Sequence, residues 1–160
     1  MTIIGFIALP VAVMCVAMVL LRRQLQTHDD RVRAAWRRVQ VAFENRHELA
    51  RQIAAGCSQP NTPSLAELQA VLKQAEFTSG LAMKGRVENH LSESLRPVVA
   101  LGGDELFAKA VAALPESLVT VRQAAIDYNA RVSDYNAQLT RLPTASRLLG
   151  CEPREPFFLC

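Results

Sequence analysis

Residues 107–142 read FAKAVAALPESLVTVRQAAIDYNARVSDYNAQLTRL, with apolar side chains at Phe107, Val111, Leu114, Leu118, Val121, Ala125, Tyr128, Val132, Tyr135, Leu139 and Leu142. The steps between these positions alternate four and three without a miss. A mean step of about 3.5 residues keeps one stripe of a helix facing a neighbour, so the pattern predicts a long helix packed in a bundle. Asp104 and Glu105 stand where acids favour a helix N-terminus, and Pro143 ends the pattern. Pro115 is the interior exception, expected to remove one backbone hydrogen bond and kink the helix near Ala112.

Upstream, Leu25, Val32, Trp36, Val39, Phe43, Ala50 and Ile53 repeat the same alternation, with Asp29 and Arg46 in the two skipped seam positions. Neither Pro nor Gly intervenes between Arg22 and Ala55, and Gly56, Pro60 and Pro63 mark a stop and a turn. The middle stretch carries Leu65, Leu68, Leu72 and Ala75, falters over Thr78 to Gly85, then resumes with Val87, Leu91, Leu95 and Val98. Ser64 and Glu67 read as a capping box at its start; Pro97 and then Gly102-Gly103 read as its stop. Gly80 and Gly85 each weaken a helix by about 1 kcal/mol relative to Ala. With no Pro, Asn or Asp in residues 79–85, a broken helix is expected here rather than a hairpin; one interrupted helix and two separate ones both remain open. The segments 22–55, 64–101 and 104–142 hold 34, 38 and 39 residues, matched lengths that suit antiparallel neighbours running up, down and up.

Ahead of these segments, residues 3–21 (IIGFIALPVAVMCVAMVLL) carry no charge and run straight into Arg22-Arg23. Nineteen helical residues cover roughly 28 Å, close to the ~30 Å core of a bilayer. A cleaved secretory signal would need a charged start, a shorter apolar core and a small-residue cleavage site, and Met14 before Cys15 is too bulky for a lipoprotein site. The expected fold class is therefore all-α: an N-terminal transmembrane helix (3–21) continuing into an antiparallel bundle of three long segments (22–142). A split in the middle segment would make it a four-helix bundle. The tail, 143–160, is expected to pack on the bundle flank through Phe157 and Phe158, beginning near the turn that contains Cys57.

The net charge of +3 conceals a polarity. Residues 22–55 hold eight Arg against four acids, whereas 56–160 hold ten basic residues against eleven acids. The membrane-proximal cluster Arg22, Arg23, Arg31, Arg33, Arg37 and Arg38 should stay on the cytoplasmic side of a bacterial inner membrane, leaving the N-terminus outside. Each such residue near an anionic leaflet gains about 1 kcal/mol, so the basic excess points to membrane lipid and not to nucleic acid. Four cysteines and three histidines show no zinc-ligand spacing, and the thiols should be free in a cytoplasmic domain. No nucleophile with a base, paired carboxylates or phosphate-cradling loop is suggested by spacing. No enzymatic activity, cofactor, metal or small-molecule substrate is expected. The partners implied are membrane lipid through the single span and either a protein or a second copy of the chain.

One polar motif repeats: Tyr128-Asn129 and Tyr135-Asn136, seven residues apart. Seven residues make nearly two turns, so both tyrosines fall on the seam and both asparagines beside it. Tyr and Asn at such positions serve either to fix helix register or to bind a peptide or partner helix. Arg46, the basic residue on the first seam, needs a partner; with the first and third segments parallel, Asn129, Asp127 and Glu76 lie at its height.

At these residues the chain resembles the LemA family of bacterial membrane-anchored helical proteins. The similarity is clearest over 126–158, in the paired Tyr-Asn, the Leu142-Pro143 that follows and RLLGCEPREPFF. AWRRVQVAFENRHELARQI at 35–53 is similar to the family's first bundle helix, with Trp36, Arg46 and Leu49 in place, and Pro97 and Phe107 resemble its mid-chain landmarks. Ala50-Arg51-Gln52 departs from the Ile-Pro-Asn usual there, and Arg96 stands where an aromatic is expected. The resemblance implies an N-terminal membrane helix and a four-helix bundle and brings no enzymatic activity; the expected role is a membrane-tethered interaction or scaffold module. An alternative role is a membrane organiser that gathers anionic lipid through its basic first helix and self-associates.

Overall fold

With no helix breaker between Arg22 and Ala55, one helix, α1, runs unbroken from Thr2 to Gly56. A computed structural model describes the backbone of residues 2–158 and the side chains of 12–144 and 146–158. After α1 come α2 (Pro63–Phe77), α3 (Leu81–Leu101), α4 (Glu105–Arg141) and the short α5 (Pro143–Leu148). Residues 151–158 complete the described chain as a segment without helix or strand. Among the described residues no helix is long and apolar enough to cross a membrane. The side chains of residues 3–11, the first part of the expected span 3–21, lie outside those described.

The middle segment is two helices folded on each other, which corrects the broken-helix expectation. His90 on α3 lies 3.3 Å from Glu67 on α2, each about ten residues from the short connection 78–80, so the two helices are antiparallel. Gly80 alone makes the reversal: its φ of +89° is a left-handed value that costs an L side chain strain but glycine nothing. The extra reversal changes the direction of everything after it. α4 therefore runs antiparallel to α1, not parallel: Phe107 packs at Gly56, while Tyr128 stacks on Trp36. The four helices alternate up, down, up, down.

Local chemistry accounts for the helix ends. Pro63 occupies the first turn of α2 and Thr62 its cap, so Ser64 lies inside the helix and the expected Ser64–Glu67 capping box does not form. Asp104 caps α4, its Oδ1 accepting from the Phe107 amide at 2.9 Å. Pro97 and Pro115 both lie within helices that continue past them. Both are exposed, and the carbonyl freed behind Pro97 belongs to exposed Glu93, where water can satisfy it. Gly56 and Gly103 sit back to back: the Gly56 carbonyl accepts from the Asp104 amide and the Gly102 carbonyl from Ser58, each at 3.1 Å. This ties the end of α1 to the α3–α4 turn.

The core divides in two along the long axis. At the Gly56 end, Ala50 and Ile53 of α1 meet Leu65, Leu68 and Leu72 of α2, Val87, Leu91, Leu95 and Val98 of α3, and Phe107 of α4. At the Leu25 end, α1 and α4 supply the buried helical residues, Leu25, Val32, Val39 and Phe43 against Val121, Tyr128, Val132, Tyr135 and Leu139, and α3 reaches only its near edge, through Leu81. Two helices cannot enclose a core. Phe157, 1% exposed, belongs to this second cluster: the tail stands where a third helix would otherwise be needed.

Candidate functional site

The tail leaves α4 at the Leu25 end, turns through α5 and Gly150 (φ +65°), and runs back along α4. The expectation that it starts beside Cys57 is thereby corrected, for the same reason that α4 is reversed. Phe157 is the anchor. Its ring lies 5.9 Å from Trp36 and 5.7 Å from Phe43, and Trp36 in turn stacks at 5.3 Å on Tyr128. These tilted and edge-on arrangements are the favoured ones for aromatic pairs. Phe158 points the other way and is 71% exposed, so of the expected aromatic pair only Phe157 docks.

The repeated Tyr-Asn motif holds this segment by its backbone. Asn129 donates from Nδ2 to the Phe157 carbonyl and accepts at Oδ1 from the Phe157 amide, both at 2.7 Å. Asn136 does the same to Arg154, with both bonds at 2.9 Å. Between them the Tyr128 hydroxyl donates to the Glu155 carbonyl at 3.0 Å. The spacing has a geometric cause. Seven residues along a helix rise roughly 10.5 Å, and three extended residues advance roughly 10 Å. Residues 129 and 136 on α4 therefore fall in step with 157 and 154 on the tail. Pro153 and Pro156 hold the tail extended by fixing their own φ and by disfavouring helix at Glu152 and Glu155.

Side chains are read at two tail positions. Phe157 fills the aromatic pocket, and the Arg154 guanidinium donates to Asp29 at 2.8 and 3.1 Å. Asp29 also accepts from Arg33 at 2.8 Å. Gly85 on α3 completes the pocket: a Cβ there would come within 2.5 Å of the Phe158 carbonyl oxygen. Beside the tail lies an open cavity of about 750 Å³ lined by Trp36, Arg37, Lys84, Tyr128 and Glu155, with the Lys84 ammonium 5.4 Å from the Trp36 ring centroid.

Burial raises the Tyr128 phenol above its ordinary value; Glu155 adds to the rise and Arg154 opposes it. Tyr135 is raised in the same way, first by burial and then by Cys151 and Asp29. The Asp29 hydrogen bond raises the Arg154 guanidinium.

Arg46 takes no part in this cleft. It is 4% exposed and donates to Glu88 Oε2 at 2.9 Å and to Ser92 Oγ at 2.7 Å, both on α3. Glu88, 2% exposed, also receives His47. The expected lock to Asn129, Asp127 or Glu76 is corrected: Asn129 holds the tail, Asp127 accepts from Gln123 and Glu76 from Arg51. With α4 reversed, the carboxylate at the height of Arg46 comes from α3. The cluster Arg22, Arg23, Arg31, Arg33, Arg37 and Arg38 is exposed along α1.

Asp29, Trp36, Gly85 and Glu88 were not singled out as site residues in the sequence. Asp29 and Trp36 carried a signal as a charge and an aromatic on the α1 seam; Gly85 and Glu88 carried none, since their roles depend on which element faces them. Cys15, Cys57 and Cys151 are free thiols, and Cys160 lies outside the described residues. No protein-family model matches the chain, and no curated protein is similar enough to count as a match.

Proposed function

We propose that this chain is a membrane-tethered helical interaction module of the LemA type, without catalytic activity, and that the α1–α4 cleft is its working surface. The observation that carries the reading is the Tyr-Asn repeat: a helix holds an extended segment by its backbone through paired side-chain amides in matched register. Backbone capture with one aromatic pocket is a recurring way in which domains recognise peptides. Tethering is supported by the uncharged stretch 3–21 followed at once by Arg22-Arg23. The orientation, N-terminus outside and bundle in the cytoplasm, rests on the arginines that follow.

A reporter active only outside the cytoplasmic membrane, fused after Cys160, is expected to stay silent while a cytoplasmic reporter at the same place is active. The opposite pattern overturns the orientation. Chemical cross-linking in native membranes is expected to shift the chain into discrete species of higher mass, and a chain that stays monomeric throughout overturns the interaction role. Exposure of all six arginines favours a second reading, a membrane organiser that gathers anionic lipid. Salt-sensitive binding of the purified bundle to anionic vesicles would single it out.

A further inference from the structure

The tail is seated on the cleft by contacts that any copy of the same segment could make. Five of its hydrogen bonds go to backbone atoms of Arg154, Glu155 and Phe157, while the side chains of Arg154 and Phe157 supply the specificity. From this geometry we propose that the cleft is also a self-association site: residues 153–157 of one copy occupy the α1–α4 cleft of a second copy, which returns its own tail in exchange. The proposal rests on the reading of the chain as membrane-tethered, because tethering supplies the proximity.

Three observations select a second copy over a foreign peptide. First, a foreign segment must displace an occupant tethered to the same chain, which competes at an effective concentration in the millimolar range. Reciprocal exchange returns the bonds between tail and cleft, so beyond the entropy of association it costs only what α5 and residues 149–151 lose on paying out, a low-cost route to a symmetric dimer. Second, direction and height agree. Each tail leaves α4 at the Leu25 end, the end that continues into residues 3–21. Two copies anchored side by side in one membrane launch their tails from the same level and toward the same cleft entrance. Third, the connection can reach. Between Leu142 and Arg154 lie α5, only six residues long and touching the bundle lightly, and Gly150. Leu148 within α5 is 73% exposed, and the stretch rests on the bundle through buried Ser146 and through Leu149 and Cys151, the contacts that paying it out gives up. Twelve residues paid out span up to about 40 Å, more than the width of a helical bundle.

The test uses full chains in their own membrane. Two copies with different tags are co-expressed, their native cysteines replaced by Ser. One carries Lys84→Cys and the other Glu155→Cys, positions that line the same cavity beside the tail. A short bismaleimide is then added. The expected result is a cross-linked species carrying both tags, at least about tenfold more abundant than when the first cysteine is moved from Lys84 to Lys109, exposed on α4 at the Gly56 end and away from the tail. A single chain carrying both cysteines supplies the control for the tail staying on its own bundle. If that control cross-links and the two-tag species is absent, exchange is overturned. An adduct on Lys84→Cys whose mass matches neither copy places another protein's segment in the cleft and likewise overturns the second copy as occupant. Extraction of the membranes with carbonate reads the tethering separately: release of the chain defeats that reading, whereas a retained chain without the two-tag species defeats only the exchange.

Discussion

Glu88 is the residue on which most charge converges. It lies 2% exposed with Arg46 on one oxygen and His47 on the other, while Arg46 Nε is buried without a hydrogen-bond partner. A buried pair of this kind adds little net stability over an apolar pair of equal volume, yet removing one member strands the other. Glu88→Gln is therefore expected to cost about 3–5 kcal/mol in urea denaturation, and Arg46→Met combined with Glu88→Met to recover most of that loss. A Glu88→Gln chain as stable as the parent would show that the pair is not desolvated. The need of Arg46 for a partner is legible in the sequence, because a cation on an apolar seam must be paired or reach water. Its partner is not, because Glu88 comes level with it only once the direction of α3 is known.

At the scale of elements, the same lesson appears as a matter of parity. Four-three spacing locates α4 almost to its ends and α1 from Leu25 to Ile53, and both helices run through the stretches expected of them. Periodicity carries no sign of direction, however. One glycine with positive φ at position 80 turns a middle helix into a hairpin, and the last helix, the tail and every cross-bundle pairing reverse with it. Gly85 tests the other half of the tail cleft. In an isolated helix Gly85→Ala would gain about 1 kcal/mol. Here the new methyl meets the Phe158 carbonyl at 2.5 Å, inside any real contact distance, so the tail must move. The expected outcome is a bundle that keeps its helical circular dichroism but loses residues 150–158 to protease several times faster than the parent. Unchanged protection of the tail would show that the pocket yields at no cost.

The whole molecule joins these scales through the two tyrosines of the repeat. Both phenols are held neutral by burial, Tyr128 under the tail and Tyr135 beside Cys151. The folded chain thus holds these protons more tightly than the unfolded chain. The stability this represents is complete below about pH 10, the ordinary phenol value, and is lost as pH rises through the raised values. Melting temperature is expected to fall above about pH 10, with tyrosinate absorbance appearing later than in the unfolded chain and with a shallower fall in Tyr128→Phe/Tyr135→Phe. Tyrosines that titrate in the folded chain together with those of the unfolded chain would contradict this account.

The division of the core in two also sets an order in time. Everything enclosing the Gly56 end has been synthesised by about residue 110, whereas the Leu25 end waits for Phe157. At translation rates of about 5 to 20 residues per second, the 47 residues between them take roughly 2 to 9 s. Throughout that interval the place of Phe157 beside Trp36 and Phe43 stays empty, and the newborn chain carries an open apolar pocket shaped for an extended segment. A neighbouring chain at the same stage carries one too.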